Sequence, residues 1–110
     1  MHKNLFFLQN SHNSIHVRFD DIFFFETSEV EHYLNLKTRN GEYRFRETIK
    51  NLLNKDKRLF QSNRSFVINI ENIVTLDKKN KIAIFEDGSY AYISLKKFKE
   101  LEKLLKKLHE

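Results

Sequence analysis

Short runs of β-branched and aromatic residues, separated by polar turns, dominate the 110-residue chain. Within the runs, apolar and polar positions tend to alternate, which is the pattern of a half-buried β-strand. Because the runs follow one another closely, we predict antiparallel strands joined by hairpins. The predicted strands are residues 4–9, 14–19, 22–26, 32–38, 42–46, 60–61, 66–68, 73–77, 83–86 and 90–93.

Three polar segments predict hairpin turns. Asn40-Gly41 and Asp87-Gly88 can supply the positive φ angles that two-residue hairpin loops require. Residues 10–13, with the sequence Asn-Ser-His-Asn, form a third polar turn. These turns fix the order of neighbouring strands locally.

Helical periodicity interrupts the strands at two places. Residues 48–54 place Ile49, Leu52 and Leu53 on one face of a short helix. After Ser94, a favourable N-cap, apolar residues recur at helical spacing between lysines and glutamates, which predicts a C-terminal amphipathic helix. Its lysines would also suit a membrane surface, but an apolar stripe at the end of a β-rich domain more often covers a sheet.

The composition indicates a single domain over residues 1–110. Apolar residues make up 40% of the chain and include 11 Phe, which is enough for one hydrophobic core. If the chain were divided into two domains, each would have a small core and only marginal stability. Cysteine is absent, which excludes disulfides and thiolate chemistry and fits a reducing compartment. No apolar run approaches the roughly 18 residues that span a bilayer, and no signal peptide is recognisable. We therefore expect a cytoplasmic domain.

The charge distribution favours a polyanionic partner. Twenty Lys and Arg against 15 Asp and Glu give a net charge of +5 and a pI near 9.5. Residues 20–31 contain five acids and no Lys or Arg, so this face should avoid phosphate. Residues 37–64 contain nine bases and three acids, a regional excess of positive charge that suits a nucleic-acid backbone.

The sequence shows no pattern typical of a catalytic site or a metal site, because the candidate residues have the wrong type or the wrong placement. His12, His16 and Asp20 are spaced as helical metal ligands would be, but they fall in a predicted turn and strand. Adjacent Asp20 and Asp21 point to opposite sides of an extended chain and read as turn residues. We find no glycine-rich phosphate loop or nucleophile elbow, so we expect no enzyme activity, cofactor, metal or small-molecule substrate.

Polar donors precede the apolar strand that begins at Phe66. Gln61, Ser62, Asn63, Arg64 and Ser65 follow one another directly. Asn and Arg can each make two hydrogen bonds to a purine edge, and Ser can bind a phosphate oxygen. Alternatively, the segment is an ordinary polar strand start in which Arg64 forms a structural ion pair. The residues alone leave both interpretations open.

The wider pattern resembles the LytTR family. Residues 60–73 match its order of Phe, a spaced Arg or Asn, Ser, an aromatic, two aliphatic residues, Asn and a closing Ile. Residues 21–26 are similar to its early Asp-Ile-aromatic-aromatic-Glu strand, and Ser94-Leu95-Lys96 is similar to its terminal Ser-x-Arg/Lys element. Within the family, these motifs most resemble those of AgrA-like and VirR-like regulators of Gram-positive bacteria, whose inputs are often peptide signals.

The resemblance implies antiparallel strands in three small sheets, with loops rather than a recognition helix entering successive major grooves of DNA. Three loops are implied: the first, between Glu26 and Leu34, carries the base contact His32, the second carries Arg64 and the third carries Lys96. The implied phosphate contacts are Tyr33, Asn63, Ser65, Ser94 and Lys97. By strand phase alone His32 could instead pack beside Leu34 at the end of an apolar face.

We therefore predict a domain that binds double-stranded promoter DNA in a sequence-specific manner, as the output domain of a bacterial response regulator. The resemblance implies an upstream receiver domain in a full-length protein and two copies bound to direct repeats. A β-rich protein-interaction module and an RNA-binding domain are the alternatives.

Overall fold

The computed structural model describes residues 4–9 and 12–109 and, within them, confirms a mainly β fold with three antiparallel sheets and two helices. The strands are β1 (Leu5–Gln9), β2 (Ser14–Arg18), β3 (Ile22–Thr27), β4 (Tyr33–Thr38), β5 (Gly41–Arg46), β6 (Leu59–Asn63), β7 (Phe66–Asn69), β8 (Thr75–Asp77), β9 (Ile82–Ile84) and β10 (Tyr90–Tyr92). The helices are α1 (Ile49–Lys55) and α2 (Leu95–Leu108). Short 3-10 turns at Phe19–Asp21 and Ile70–Asn72 connect strands.

A five-stranded sheet in the order β5-β4-β3-β7-β6 forms the centre of the domain. The β1-β2 hairpin and α1 pack with one of its faces around a first apolar cluster. The three-stranded sheet β10-β9-β8 and α2 pack with the other face around a second cluster. The central sheet is therefore buried on both faces. No helix of the described residues is long and apolar enough to cross a bilayer.

An irregularity in β3 explains why its sequence does not alternate. Ile22 pairs with Thr38 and Phe24 pairs with Lys37, so β3 carries one more residue than β4 over this stretch. The extra residue lets Phe23 and Phe24 both join the second cluster, while Ile22 joins the first. A run of four buried residues is thus shared between two cores.

The turn geometry differs from the prediction. Thr38 pairs with Gly41, so the loop between β4 and β5 is Arg39-Asn40, one residue earlier than predicted. The Thr38 hydroxyl donates to the Gly41 carbonyl at 2.8 Å and accepts from the Asn40 amide at 3.1 Å. These two bonds stabilise the turn, in which Asn40 does not have a positive φ angle. Gly41 itself has φ +144°.

The second glycine turn is also shifted. The Gly88 amide donates to the Phe85 carbonyl at 2.9 Å, so Gly88 follows the turn with φ +85° and Asp87 lies inside it. The third predicted turn includes Asn10 and Ser11, which lie outside the described residues. Its flanking strands β1 and β2 pair antiparallel.

Strand β6 is longer than the predicted residues 60–61. It continues through Ser62 and Asn63, although both side chains are polar. Ser62 is fully buried, and its hydroxyl donates to the Tyr92 carbonyl at 2.8 Å. This hydrogen bond satisfies the buried hydroxyl. The strand can therefore continue through a polar residue where the hydrophobic pattern predicted a loop.

Candidate nucleic-acid interface

Backbone hydrogen bonds join the segments that carry the three predicted loops at one end of the central sheet. The first loop follows Thr27 at the end of β3, and the second joins β6 to β7. The Thr27 amide donates to the Ser65 carbonyl of the second loop at 3.0 Å. The Ser94 amide, at the start of α2, donates to the Ser62 carbonyl at 2.8 Å. The predicted site residues are therefore carried by segments that are fixed to one another.

His32 lies in a turn immediately before β4. Its φ angle is +67°, a left-handed conformation that histidine adopts more readily than most residues. Its carbonyl accepts from the Glu47 amide at 2.9 Å, and its side chain is 55% exposed, with Nε2 3.5 Å from a Glu31 carboxylate oxygen. The left-handed backbone breaks the strand phase, so the alternative of a packed histidine is wrong.

Ser28 stabilises the first loop. Its hydroxyl lies 2.9 Å from the carbonyls of Val30 and Tyr33 and accepts from the Val30 amide at 3.1 Å. The Ser28 amide bonds to the Tyr33 carbonyl at 3.3 Å. These bonds close the loop that contains His32 on itself.

Arg46 lies beside the candidate interface, although no pattern in the sequence indicated it. It pairs with Tyr33 across β4 and β5, and its guanidinium carbon lies 6.0 Å from the centre of the Tyr33 ring. Arg46 is exposed and has no ion pair among the described residues. Strand register would have revealed it, because a residue opposite Tyr33 shares its position at the sheet end.

Arg64 occupies the apex of the β6–β7 turn. The Asn63 side-chain oxygen accepts from the Ser65 amide at 2.7 Å, which closes the turn below Arg64. Arg64 is exposed, and no carboxylate of the described residues lies within ion-pair distance of it. The structural ion pair that the sequence left open is therefore not formed.

The third predicted loop is the first turn of α2. Ser94 is the N-cap, as predicted, and its side-chain oxygen accepts from the Lys97 amide at 3.2 Å. Lys96 is helical and exposed. The Lys97 ammonium lies 3.7 Å from a Glu100 oxygen and 5.5 Å from the centre of the Phe60 ring. Its charge is therefore partly neutralised by contacts within the domain.

Ion pairs neutralise much of the basic region from residue 37 to 64. Five of its nine bases pair with carboxylates, which leaves Arg46, Lys50, Lys57 and Arg64 without an ion pair among the described residues. The pairs are Lys37 with Glu42 and Asp87, Arg39 with Asp21 and Glu86, Arg44 with Glu29, Lys55 with Glu47, and Arg58 with Asp56. Sequence counting therefore overstates the positive charge available there.

Two carboxylates near the first loop, those of Glu29 and Glu47, are held in their charged form, whereas burial raises the pKa of Glu26 at the end of β3. The Glu29 backbone amide and the Arg44 guanidinium, which both donate to the Glu29 carboxylate, hold its pKa below the usual value. Burial alone would raise the pKa of Glu47, but bonds from Lys55 and the Thr48 amide outweigh it and lower the pKa. Paired cations thus offset part of the acidic segment's charge beside the first loop.

Replacing Ser94 with alanine is expected to lower the free energy of unfolding by about 1 kcal/mol, because the Lys97 amide loses its capping acceptor. Urea unfolding measures this loss. Ser94→Asp is the matched variant: aspartate retains the cap and the stability but adds a negative charge at the candidate interface, so we expect it to weaken DNA binding. Full stability with Ser94→Ala would contradict the role of the cap.

Comparisons with known proteins agree with this architecture. The model of the LytTr DNA-binding domain family matches residues 12–106. Accessory gene regulator protein A of Staphylococcus epidermidis strain RP62A is 36% identical over 94 residues, which cover 86% of this chain and 40% of that protein. The protein of the same name from Staphylococcus aureus strain N315 is 35% identical with the same coverage. The chain thus spans about 40% of the length of these relatives.

A solved structure shares the fold. It is the LytTr DNA-binding domain of a putative methyl-accepting/DNA response regulator from Bacillus cereus, with a TM-score of 0.74 and 16% identity. The match covers 94% of this chain and 97% of that one. Because the family model extends over most of the sequence, the chain belongs to the LytTr DNA-binding domain family.

Proposed function

We propose that this domain binds double-stranded DNA in a sequence-specific manner through the three connected segments at the sheet end. One observation carries the proposal: His32, Arg64 and Lys96 are all exposed on segments tied together by backbone hydrogen bonds. Membership of the family supports a non-enzymatic, DNA-binding role. A fixed spacing between three reading groups is what recognition of successive grooves requires.

The three reading groups have different chemistry. Arg64 can bind guanine O6 and N7 through two parallel bonds, the commonest specific contact in the major groove. Lys96 carries a point charge and suits one acceptor or a phosphate. His32 can donate or accept, depending on its protonation.

The remaining predicted residues would hold the backbone in register. Asn63 uses its side-chain oxygen inside the turn, which leaves its amide N–H groups for a phosphate. Tyr33, Ser65 and Ser94 offer hydroxyl groups, and Lys97 offers a partly neutralised ammonium. Arg46 is a further candidate because it lies over Tyr33. Such contacts position the protein, while the base contacts give sequence preference.

The longer relatives suggest the setting of the domain. Because the chain spans 40% of their length, we propose that a full-length regulator places a receiver domain upstream. Two copies would bind direct repeats and bend the DNA between them. The regulator would act on promoters in the cytoplasm, in response to a peptide signal of the quorum-sensing kind.

Selection from a random duplex library tests the proposal. The wild-type domain is incubated with the library at low and moderate salt, and bound duplexes are sequenced. We expect one enriched motif, a steep fall of affinity with salt, and weaker binding of single-stranded RNA. Equally weak binding of all sequences would contradict specific recognition and favour the protein-interaction module.

A further inference from the structure

Five lysines form an exposed stripe along α2. At about 100° per residue, they fall within a sector roughly 100° wide on the helix surface. The opposite side of α2 carries Phe98 and Leu101, which are buried in the second apolar cluster. That packing fixes the rotation of the helix, so the stripe faces solvent. The α2 lysine stripe consists of Lys96, Lys99, Lys103, Lys106 and Lys107.

No carboxylate among the described residues pairs with the α2 lysine stripe. The two acids of α2 within the described range are engaged elsewhere: Glu100 lies 3.7 Å from Lys97, and Glu102 lies 3.3 Å from Lys78. In residues 37–64, by contrast, five of nine bases are paired. Five unpaired cations on one helix face therefore make a concentrated positive surface.

The stripe begins within the candidate interface. Lys96, its first member, lies two residues after Ser94, whose amide is bonded to the Ser62 carbonyl beside the Arg64 turn. Successive lysines continue from that point along the helix. The rise from Lys96 to Lys107 is about 16 Å at 1.5 Å per residue, a length of duplex axis over which one strand carries about five phosphates.

We propose that the α2 lysine stripe binds phosphates that flank the base pairs contacted by the three loop segments, and so extends the DNA site beyond them. This inference rests on the proposed function. Lysine suits such a role because its ammonium is a point charge that binds phosphate without requiring the planar geometry of base recognition. The stripe adds affinity and salt dependence, not sequence preference.

A paired-charge experiment tests the stripe. Lys103→Gln/Lys107→Gln removes two charges far from the loops, and Lys50→Gln/Lys57→Gln removes two exposed charges from the α1 region as the matched control. Each protein is titrated from about 50 to 200 mM salt against the selected duplex, with and without about ten flanking base pairs. Fluorescence anisotropy gives the dissociation constants.

The stripe variant should lower the magnitude of the slope of log K against log salt by up to about 1.8. Between about 50 and 200 mM salt, its affinity should therefore fall by a factor about 12 times smaller than that of wild type. The change should appear on the long duplex and shrink on the short one, while the control variant retains the wild-type slope. Equal changes in both variants would reduce the effect to net charge and overturn the proposal.

Two further outcomes separate this inference from the proposed function. If Arg64→Ala loses sequence preference while the stripe variant matches wild type, phosphate binding by the stripe is refuted and the proposed function stands. If the wild-type domain selects no duplex, both fail. Unchanged duplex binding with lost binding to phosphatidylserine vesicles would overturn the proposal in favour of a membrane surface.

Discussion

Replacing Phe25 with alanine is expected to lower the free energy of unfolding by about 3–5 kcal/mol. Phe25 is 1% exposed on β3, the middle strand of the central sheet. Its ring centre lies 6.0 Å from that of Phe6 and 5.9 Å from that of Phe45, so truncation leaves a cavity between three elements. A domain of this size has a total stability of about 5–15 kcal/mol. The variant should therefore be marginally folded.

Phe7→Ala is the matched control for Phe25→Ala. Phe7 is 59% exposed on the β1-β2 hairpin, and its ring centre lies 4.6 Å from that of His16 in an edge-to-face arrangement. Its loss should cost less than about 1 kcal/mol, because most of the ring already faces water. Urea unfolding compares the two variants. Similar midpoints for both would contradict the placement of Phe25 in the first apolar cluster.

Local patterns in the sequence predicted most strands and both helices, because these elements depend on neighbouring residues, whereas the division into three sheets was implied by the resemblance to the family. The alternation of apolar residues located the strands, and Ser94 marked the start of α2. The β3 irregularity was not predictable, since the extra residue is specified by the register with β4. Nor was the length of β6, because buried Ser62 depends on a carbonyl 30 residues away.

The candidate site shows the same division between local and distant information. Resemblance to the family selected Arg64 and Lys96, and the structure places both side chains in solvent. The left-handed backbone of His32 interrupts the alternation that the sequence suggested, and the position of Arg46 opposite Tyr33 follows from the β4–β5 register. The ion pairs that neutralise half of the basic region join residues distant in sequence, so charge counting could not separate free cations from paired ones.

Arg64→Ala should weaken binding to the selected duplex by about 1–3 kcal/mol and relax the preference at one base position. Arg64 extends from a turn closed by the Asn63–Ser65 hydrogen bond, and none of the described carboxylates pairs with it, so its removal should leave stability within about 0.5 kcal/mol of wild type. Anisotropy titrations on the selected duplex and on single-base variants measure both effects.

Arg64→Lys separates charge from geometry. Lysine retains the cation, so the salt slope should stay close to that of wild type, but it loses the two parallel donors that distinguish guanine. We therefore expect most of the base preference to disappear while binding to non-selected duplexes is retained. Lys50→Ala, which removes one exposed charge from α1, should retain the preference. If Arg64→Lys preserved full discrimination, Arg64 would be a phosphate contact, and base recognition would rest on His32 and Lys96.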